Sequence, residues 1–132
     1  MKTKTIDASS VRSFSIETEK GVSIYAEQKG EGSELVVFLH AVGGDHSSWY
    51  PQMDCLSNRY SCASLDLRGH GKSTCAHGNG KIEEAISISK FAQDVAVVIE
   101  KLGFYRAHLV GLSMGGVVAL ETFKQRPIWS SL

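Results

Sequence analysis

Ser113 stands in the stretch LVGLSMGGVVAL, with Gly111 two residues before it and Gly115 two residues after. A serine hydroxyl can attack a carbonyl carbon when a base takes its proton and hydrogen-bond donors hold the oxyanion that forms. G-x-S-x-G is the spacing that such a serine needs when it is raised on a sharp turn from strand to helix. Its backbone is strained there, and side chains two positions away would collide with the turn. Glycine removes the collision. Free N–H groups at the start of the following helix, that of Met114 first, then point at negative charge forming beside the hydroxyl. That is one half of an oxyanion hole. Gly116 extends the small surface. A glycine-rich turn that only needs room is the bland alternative, and a good strand before it with a good helix after it favours the chemical one.

Two other stretches follow buried-strand patterns in the same way. FLHAVGGDHSSWYPQ begins at Phe38 and SLDLRGHGKS begins at Ser64. Taken in order with the serine turn, they resemble the α/β-hydrolase superfamily. Its members carry an H-G-x-x-G type loop, a D-x-R-G-x-G-x-S turn and a nucleophile elbow in this order. The likeness runs from about Ser13 to Arg126. The resemblance implies Ser113 as nucleophile, Gly111 and Gly115 as the elbow glycines, and Met114 as the backbone donor that follows. Val42, after His40-Ala41, is implied as the second oxyanion donor, with Ala41 standing where many members have glycine. Asp66, Arg68, Gly69 and Gly71 are implied to form a structural turn, and His40 to be a hydrogen-bonded structural histidine. Serine at the elbow disfavours the dehalogenase and epoxide-hydrolase branches, which use aspartate. The implied activity is hydrolysis of a small-molecule carboxylic ester, lactone or related acyl compound through an acyl-enzyme, with no cofactor. GLSMGG and HAVGG look most like small esterases, enol-lactonases and cofactor-free haloperoxidases.

Rival chemistries are weaker. Gly71-Lys72-Ser73 after a strand is similar to the end of a phosphate-cradling loop, but that loop needs glycine at position 66. Asp66 is there instead, and a carboxylate would repel phosphates. Cys75 and His77 near His70 suggest a metal site, yet no second ligand pair stands nearby, so a polar loop is the better reading.

The elements that would position these residues are legible in the periodicity. Met1 to Ser10 reads as a polar lead-in. RSFSIET and VSIYAEQ alternate apolar and polar residues across Glu19-Lys20-Gly21, as in a β-hairpin exposed on one face. ELVVFLH and YSCASLD read as interior strands. Between them a short helix is expected, capped by Ser47 or Ser48, with Pro51 in its first turn. Phe91, Val95, Val98 and Leu102 make one stripe of a helix starting near Ser87 or Ser89 and stopped by Gly103. RAHLVGLS reads as another buried strand and MGGVVALETFKQR as a helix packed under neighbours. The alternation predicts an α/β fold: a mostly parallel sheet with an N-terminal antiparallel hairpin and flanking helices.

Composition sets the outer bounds. The chain has 132 residues, 42% of them apolar, with 14 Lys plus Arg against 14 Asp plus Glu. Zero net charge and no basic patch argue against a nucleic-acid or membrane-surface partner. Lys2 and Lys4 are followed by Thr5, Ile6 and Asp7 rather than an apolar run, so no secretory signal is expected. Three cysteines, Cys55, Cys62 and Cys75, read as reduced thiols in a cytoplasmic setting.

The base is what the pattern lacks. In the resembled order the acid and histidine follow the serine, but only nineteen residues follow Ser113, with Glu121 and no histidine. His40, His46, His70, His77 and His108 all precede it. The reading is therefore one partial domain over residues 1–132, the amino-terminal half of the fold, with IWSSL leading into a further strand. Its last strand would expose an apolar edge and favour self-association. The alternative expectation is a non-catalytic product or partner-binding fragment lacking the triad acid and histidine.

Overall fold

The computed structural model describes residues 10–76 and 86–127. The lead-in up to residue 9, His77 and the IWSSL stretch lie outside the described residues. The alternating segments form a hairpin of β1 (Val11–Glu19) and β2 (Val22–Lys29), paired antiparallel. Two five-residue strands, β3 (Leu35–Leu39) and β4 (Ser61–Leu65), are buried along their whole length. Between them lies α1 (Tyr50–Leu56). A two-residue strand β5 (Thr74–Cys75), α2 (Ile88–Lys101), β6 (His108–Gly111) and α3 (Met114–Gln125) complete the order. The sheet runs β1-β2-β4-β3-β6, with β5 against β2. β4, β3 and β6 are mutually parallel and the hairpin joins them antiparallel, which is the mixed, mostly parallel core that the alternation predicts.

Burial on both faces explains the unbroken apolar runs. One face packs Ile24, Val37, Leu39 and Leu65 against Phe91, Val95 and Ile99 of α2 and Val118 of α3. The other packs Val36, Phe38 and Cys62 against Met53, Trp49 and Leu56. Burial pushes the Cys62 thiol up to about 11, far from reactive. In α2 the Ser87 hydroxyl accepts the Lys90 N–H at 3.1 Å, and Gly103 ends it at φ +93°.

Three local expectations are corrected, and one element is new. A 3-10 turn, His46–Trp49, precedes α1, and its cap is Asp45 rather than Ser47 or Ser48. Asp45 is the last extended residue, and its carboxylate accepts the Ser47 N–H at 2.8 Å. β6 is not buried: its residues alternate between exposed and half-buried because, among the described residues, it is the outermost strand on that side of the sheet. α3 buries Gly115, Val118 and Thr122 but leaves Val117, Leu120 and Phe123 exposed. β5 has no counterpart in the periodicity, since two residues carry no period.

A buried guanidinium ties three of these elements together. Arg68, 1% exposed, donates from Nε and Nη2 to the two oxygens of Asp94 on α2, each at 2.8 Å. Its Nη1 meets Glu19 at the end of β1 at 2.7 Å. The hydrogen bond from Arg68 holds the Glu19 carboxyl below its ordinary range. Asp94→Ala would take the carboxylate from the buried Nε and Nη2 and leave Glu19 on Nη1, and we expect a loss of roughly 3 kcal/mol of stability. Urea unfolding would measure it, and a loss under about 1 kcal/mol would contradict this account.

Candidate active site

Ser113 joins β6 to α3 with φ 55° and ψ −116°. Among the described residues it is the only non-glycine with positive φ. Such a backbone costs about 1–3 kcal/mol and persists only where its surroundings over-determine it. Here they do. Leu112 donates its N–H to Leu39 of β3 at 3.1 Å, Gly115 donates to Leu112 at 2.9 Å, and Gly116 and Val117 donate to the Ser113 carbonyl at 2.9 and 3.2 Å. The flanking glycines act on each other and on β3 rather than on the serine itself. A Cβ on Gly111 would run into the Gly115 carbonyl, and one on Gly115 would run into the Leu39 carbonyl. Ser113 is left exposed, and the Met114 N–H donates to no protein acceptor among the described residues.

The loop after β3 brings Val42 to the same pole of the sheet. Gly44 closes a tight turn onto the Ala41 carbonyl at 2.9 Å, with Gly43 at φ +76°. Val42 at its tip is 72% exposed, and its N–H also has no protein acceptor among the described residues. His40 and His46 fix the two ends. The Leu67 N–H donates to His40 Nε2 at 3.0 Å, so Nδ1 carries the hydrogen and meets the Ala41 carbonyl at 2.7 Å. His46 gives its backbone N–H to Asp66 at 2.7 Å, and its Nδ1 lies 2.8 Å from the same oxygen.

The turn after β4 receives them. The fully buried Asp66 carboxylate also accepts the Lys72 N–H at 2.9 Å, and Ser73 donates its hydroxyl to the Asp66 carbonyl at 2.6 Å. Gly71, at φ +52°, lies against that carboxylate where a Cβ would overlap it, and Gly69 turns at φ +79°. The Lys72 N–H is thus spent on Asp66, and no phosphate cradle is left in this turn.

Residues 34–128 match the model of the alpha/beta hydrolase fold. The chain belongs to the α/β-hydrolase fold family. It is 31% identical over 113 residues to 3-oxoadipate enol-lactonase 1 of Acinetobacter baylyi, covering 85% of this chain and 40% of that one. It is 34% identical over 103 residues to the (E)-2-((N-methylformamido)methylene)succinate hydrolase of the same organism, covering 78% and 36%. The epoxide hydrolase VrEH1 of Vigna radiata has a TM-score of 0.78 at 26% identity, over 89% of this chain and 35% of that chain. The chain therefore spans about two-fifths or less of the length of these relatives.

None of the described histidines of this α/β-hydrolase chain is hydrogen-bonded to Ser113. His40 has both ring nitrogens committed, and burial drives its pKa below the ordinary value. His46 Nε2 lies 3.2 Å from Glu27. His70 Nδ1 lies 3.1 Å from the Arg68 carbonyl, and His108 Nε2 lies 2.9 Å from Glu34. Sequence reasoning missed Glu27, which accepts the Tyr25 hydroxyl at 2.5 Å and the Tyr50 hydroxyl at 2.8 Å behind His46. One buried glutamate in an alternating strand gives no signal of that role. Asp45, His46 and Asp66 bring ligand-type atoms within 4.8 Å of one another. Asp45 Oδ1 caps its turn, and both His46 ring nitrogens face carboxylates.

Two outcomes follow from this geometry. Gly115→Ala should cost about 1–3 kcal/mol or more through backbone overlap. Gly116→Ala, whose Cβ would meet nothing closer than 3.5 Å, should be neutral or stabilising by up to about 1 kcal/mol in thermal unfolding. Equal losses for both would refute the close approach. His40 has a folded pKa below its unfolded value of 6.5, so the unfolded state binds the extra proton first. Stability should be complete above that value and fall as pH drops through it, with a flatter profile in His40→Asn. Unfolding free energies between about pH 5 and 8 would check this.

Proposed function

We propose that this chain carries the nucleophile and oxyanion site of a serine hydrolase acting on carboxylic esters, lactones or related acyl compounds. The observation that carries the reading is the strained, exposed Ser113, with the unspent N–H of Met114 next to it in the chain and that of Val42 after the neighbouring strand at the same end of the sheet. Ser113 Oγ bonds to the acyl carbon while the carbonyl π pair moves onto oxygen, and the Val42 and Met114 N–H groups receive that negative charge. Collapse expels the leaving group with a proton, and water then hydrolyses the acyl-enzyme. The lactonase and hydrolase names of the curated relatives support acyl chemistry. The epoxide-hydrolase names of the solved neighbours support it less, because an epoxide offers no acyl carbon. Ser113, moreover, stands where that branch is implied to have aspartate.

A second reading, a non-catalytic chain that binds a partner at its open sheet edge, is favoured by the exposed Val110, Leu112 and Leu120. A fluorophosphonate probe separates the two. The first reading expects covalent labelling at Ser113, seen by peptide mass spectrometry, and a nitrophenyl-ester hydrolysis that falls at least about 1000-fold in Ser113→Ala. Folded protein that stays unlabelled would overturn it.

A further inference from the structure

Two backbone N–H groups at the rim have no protein acceptor among the described residues, and they differ in what stands behind them. The Met114 N–H opens α3, whose aligned peptides place partial positive charge on it. The Val42 N–H heads no helix, since it lies in the loop between β3 and the turn at His46. Behind it runs a line of hydrogen bonds through the interior.

The line begins at the Tyr25 N–H of β2, which donates to Ser73 Oγ at 2.9 Å. The Ser73 hydroxyl donates to the Asp66 carbonyl at 2.6 Å. That carbonyl belongs to the Asp66–Leu67 peptide, whose N–H donates to His40 Nε2 at 3.0 Å. A backbone N–H only donates, so Nε2 accepts and Nδ1 carries the hydrogen. Nδ1 lies 2.7 Å from the Ala41 carbonyl, which also receives the Gly44 N–H at 2.9 Å. The Ala41–Val42 peptide is trans, so a carbonyl drawn inward turns its N–H outward. Every donor after the first thus belongs to a group that has accepted a bond from the link before. Such chains polarise their members, most where water is excluded. His40 and Asp66 are fully buried, and Ser73 is buried with them.

Resting on Val42 as an oxyanion donor, we propose that Ser73 and His40 are positioning residues: they carry a hydrogen-bond relay from β2 that orients the Ala41–Val42 peptide and polarises the Val42 N–H. The relay gives a loop donor what α3 gives Met114. It also accommodates alanine at position 41. Ala41 is not among the residues with positive φ, so its methyl strains nothing, and the grip on its carbonyl sets the peptide plane. The relay needs a neutral ring, because a hydrogen on Nε2 would face the Leu67 N–H. Burial of His40 favours that form, opposed by the Ala41 carbonyl; His70 adds to it, and Asp66 and Asp45 oppose it. The His70 ring packs 4.9 Å from the His40 ring between centroids.

The Val42 amide is the place to read the relay, by nuclear magnetic resonance on the isotope-labelled 132-residue chain. Ser73→Ala removes a hydroxyl bonded to β2 and Asp66, not to the loop, and is expected to move the Val42 amide nitrogen upfield as its peptide is depolarised. Ser73→Thr should restore it. His40→Gln keeps an acceptor for the Leu67 N–H but offers the Ala41 carbonyl no donor, and should move it further. Fluorophosphonate labelling of Ser113 should slow about 3-fold in Ser73→Ala and roughly 10-fold in His40→Gln, short of the roughly 100- to 1000-fold that losing a whole donor costs. Val98→Ala, a core loss on α2 outside the relay, should leave both readouts unchanged. Acidifying the unsubstituted chain needs no variant to fold: the Val42 and Leu67 amides should shift together as His40 takes up its proton. A Val42 resonance that ignores both Ser73→Ala and the His40 titration overturns the relay, and so does labelling as fast in His40→Gln as in wild type. A Val42 resonance that moves as expected while Ser113 stays unlabelled upholds the relay and overturns the nucleophile.

Discussion

The first turn of α3 lies so close to the ends of β3 and β6 that no Cβ fits at Gly111 or Gly115. Everything at the candidate site depends on this approach. With the helix start pressed onto the sheet, the chain must reverse within Leu112–Ser113, and only a positive φ at Ser113 closes the corner. The hydrogen bonds around it give back what the strain costs, each worth about 0.5–1.5 kcal/mol net. Held in this way, the serine projects outward, and the Met114 N–H is left without the partner it would have inside a helix.

The opposite wall is held by a different device, a buried carboxylate with partners on both oxygens. Asp66 gathers the His46 N–H, the His46 ring and the Lys72 N–H, and Glu27 closes the far side of the ring with two tyrosine hydroxyls behind it. With His40 pinned at its other end, the exposed loop carrying Val42 hangs between two histidine anchors on one turn. Arg68 repeats the device with opposite charge, joining that turn to α2 and the hairpin. In each case burial without full pairing would cost more than the pairing returns. That is why these polar residues lie inside a small sheet protein at all.

What the sequence made readable was whatever has a period or a steric demand. The hairpin, the two doubly buried strands, the Phe91–Val95–Val98 stripe and the paired elbow glycines all follow from side-chain spacing. Features set by neighbours did not. Leu109 and Val110 have the types of an interior strand, and in the described sheet β6 pairs with β3 on one side. Asp45 rather than Ser47 caps its turn because of which residue stays extended, a property of the loop path and not of residue preference. Glu27 and His46 become partners only once β2, β3 and β4 lie side by side, so their roles are carried by register rather than by any local pattern.

The family frame and the chemistry separate at this point. The solved epoxide hydrolase shares the fold at a TM-score of 0.78 with 26% identity, and a shared fold does not by itself fix the chemistry. The fold delivers a side chain at position 113 to a rim where backbone hydrogens stand unspent. With Ser113 as the proposed nucleophile, the side chain itself then decides which bond is attacked. A hydroxyl must lose a proton to attack and therefore needs a base, whereas a carboxylate is already charged. The serine thus creates the demand that the rest of the site has to meet.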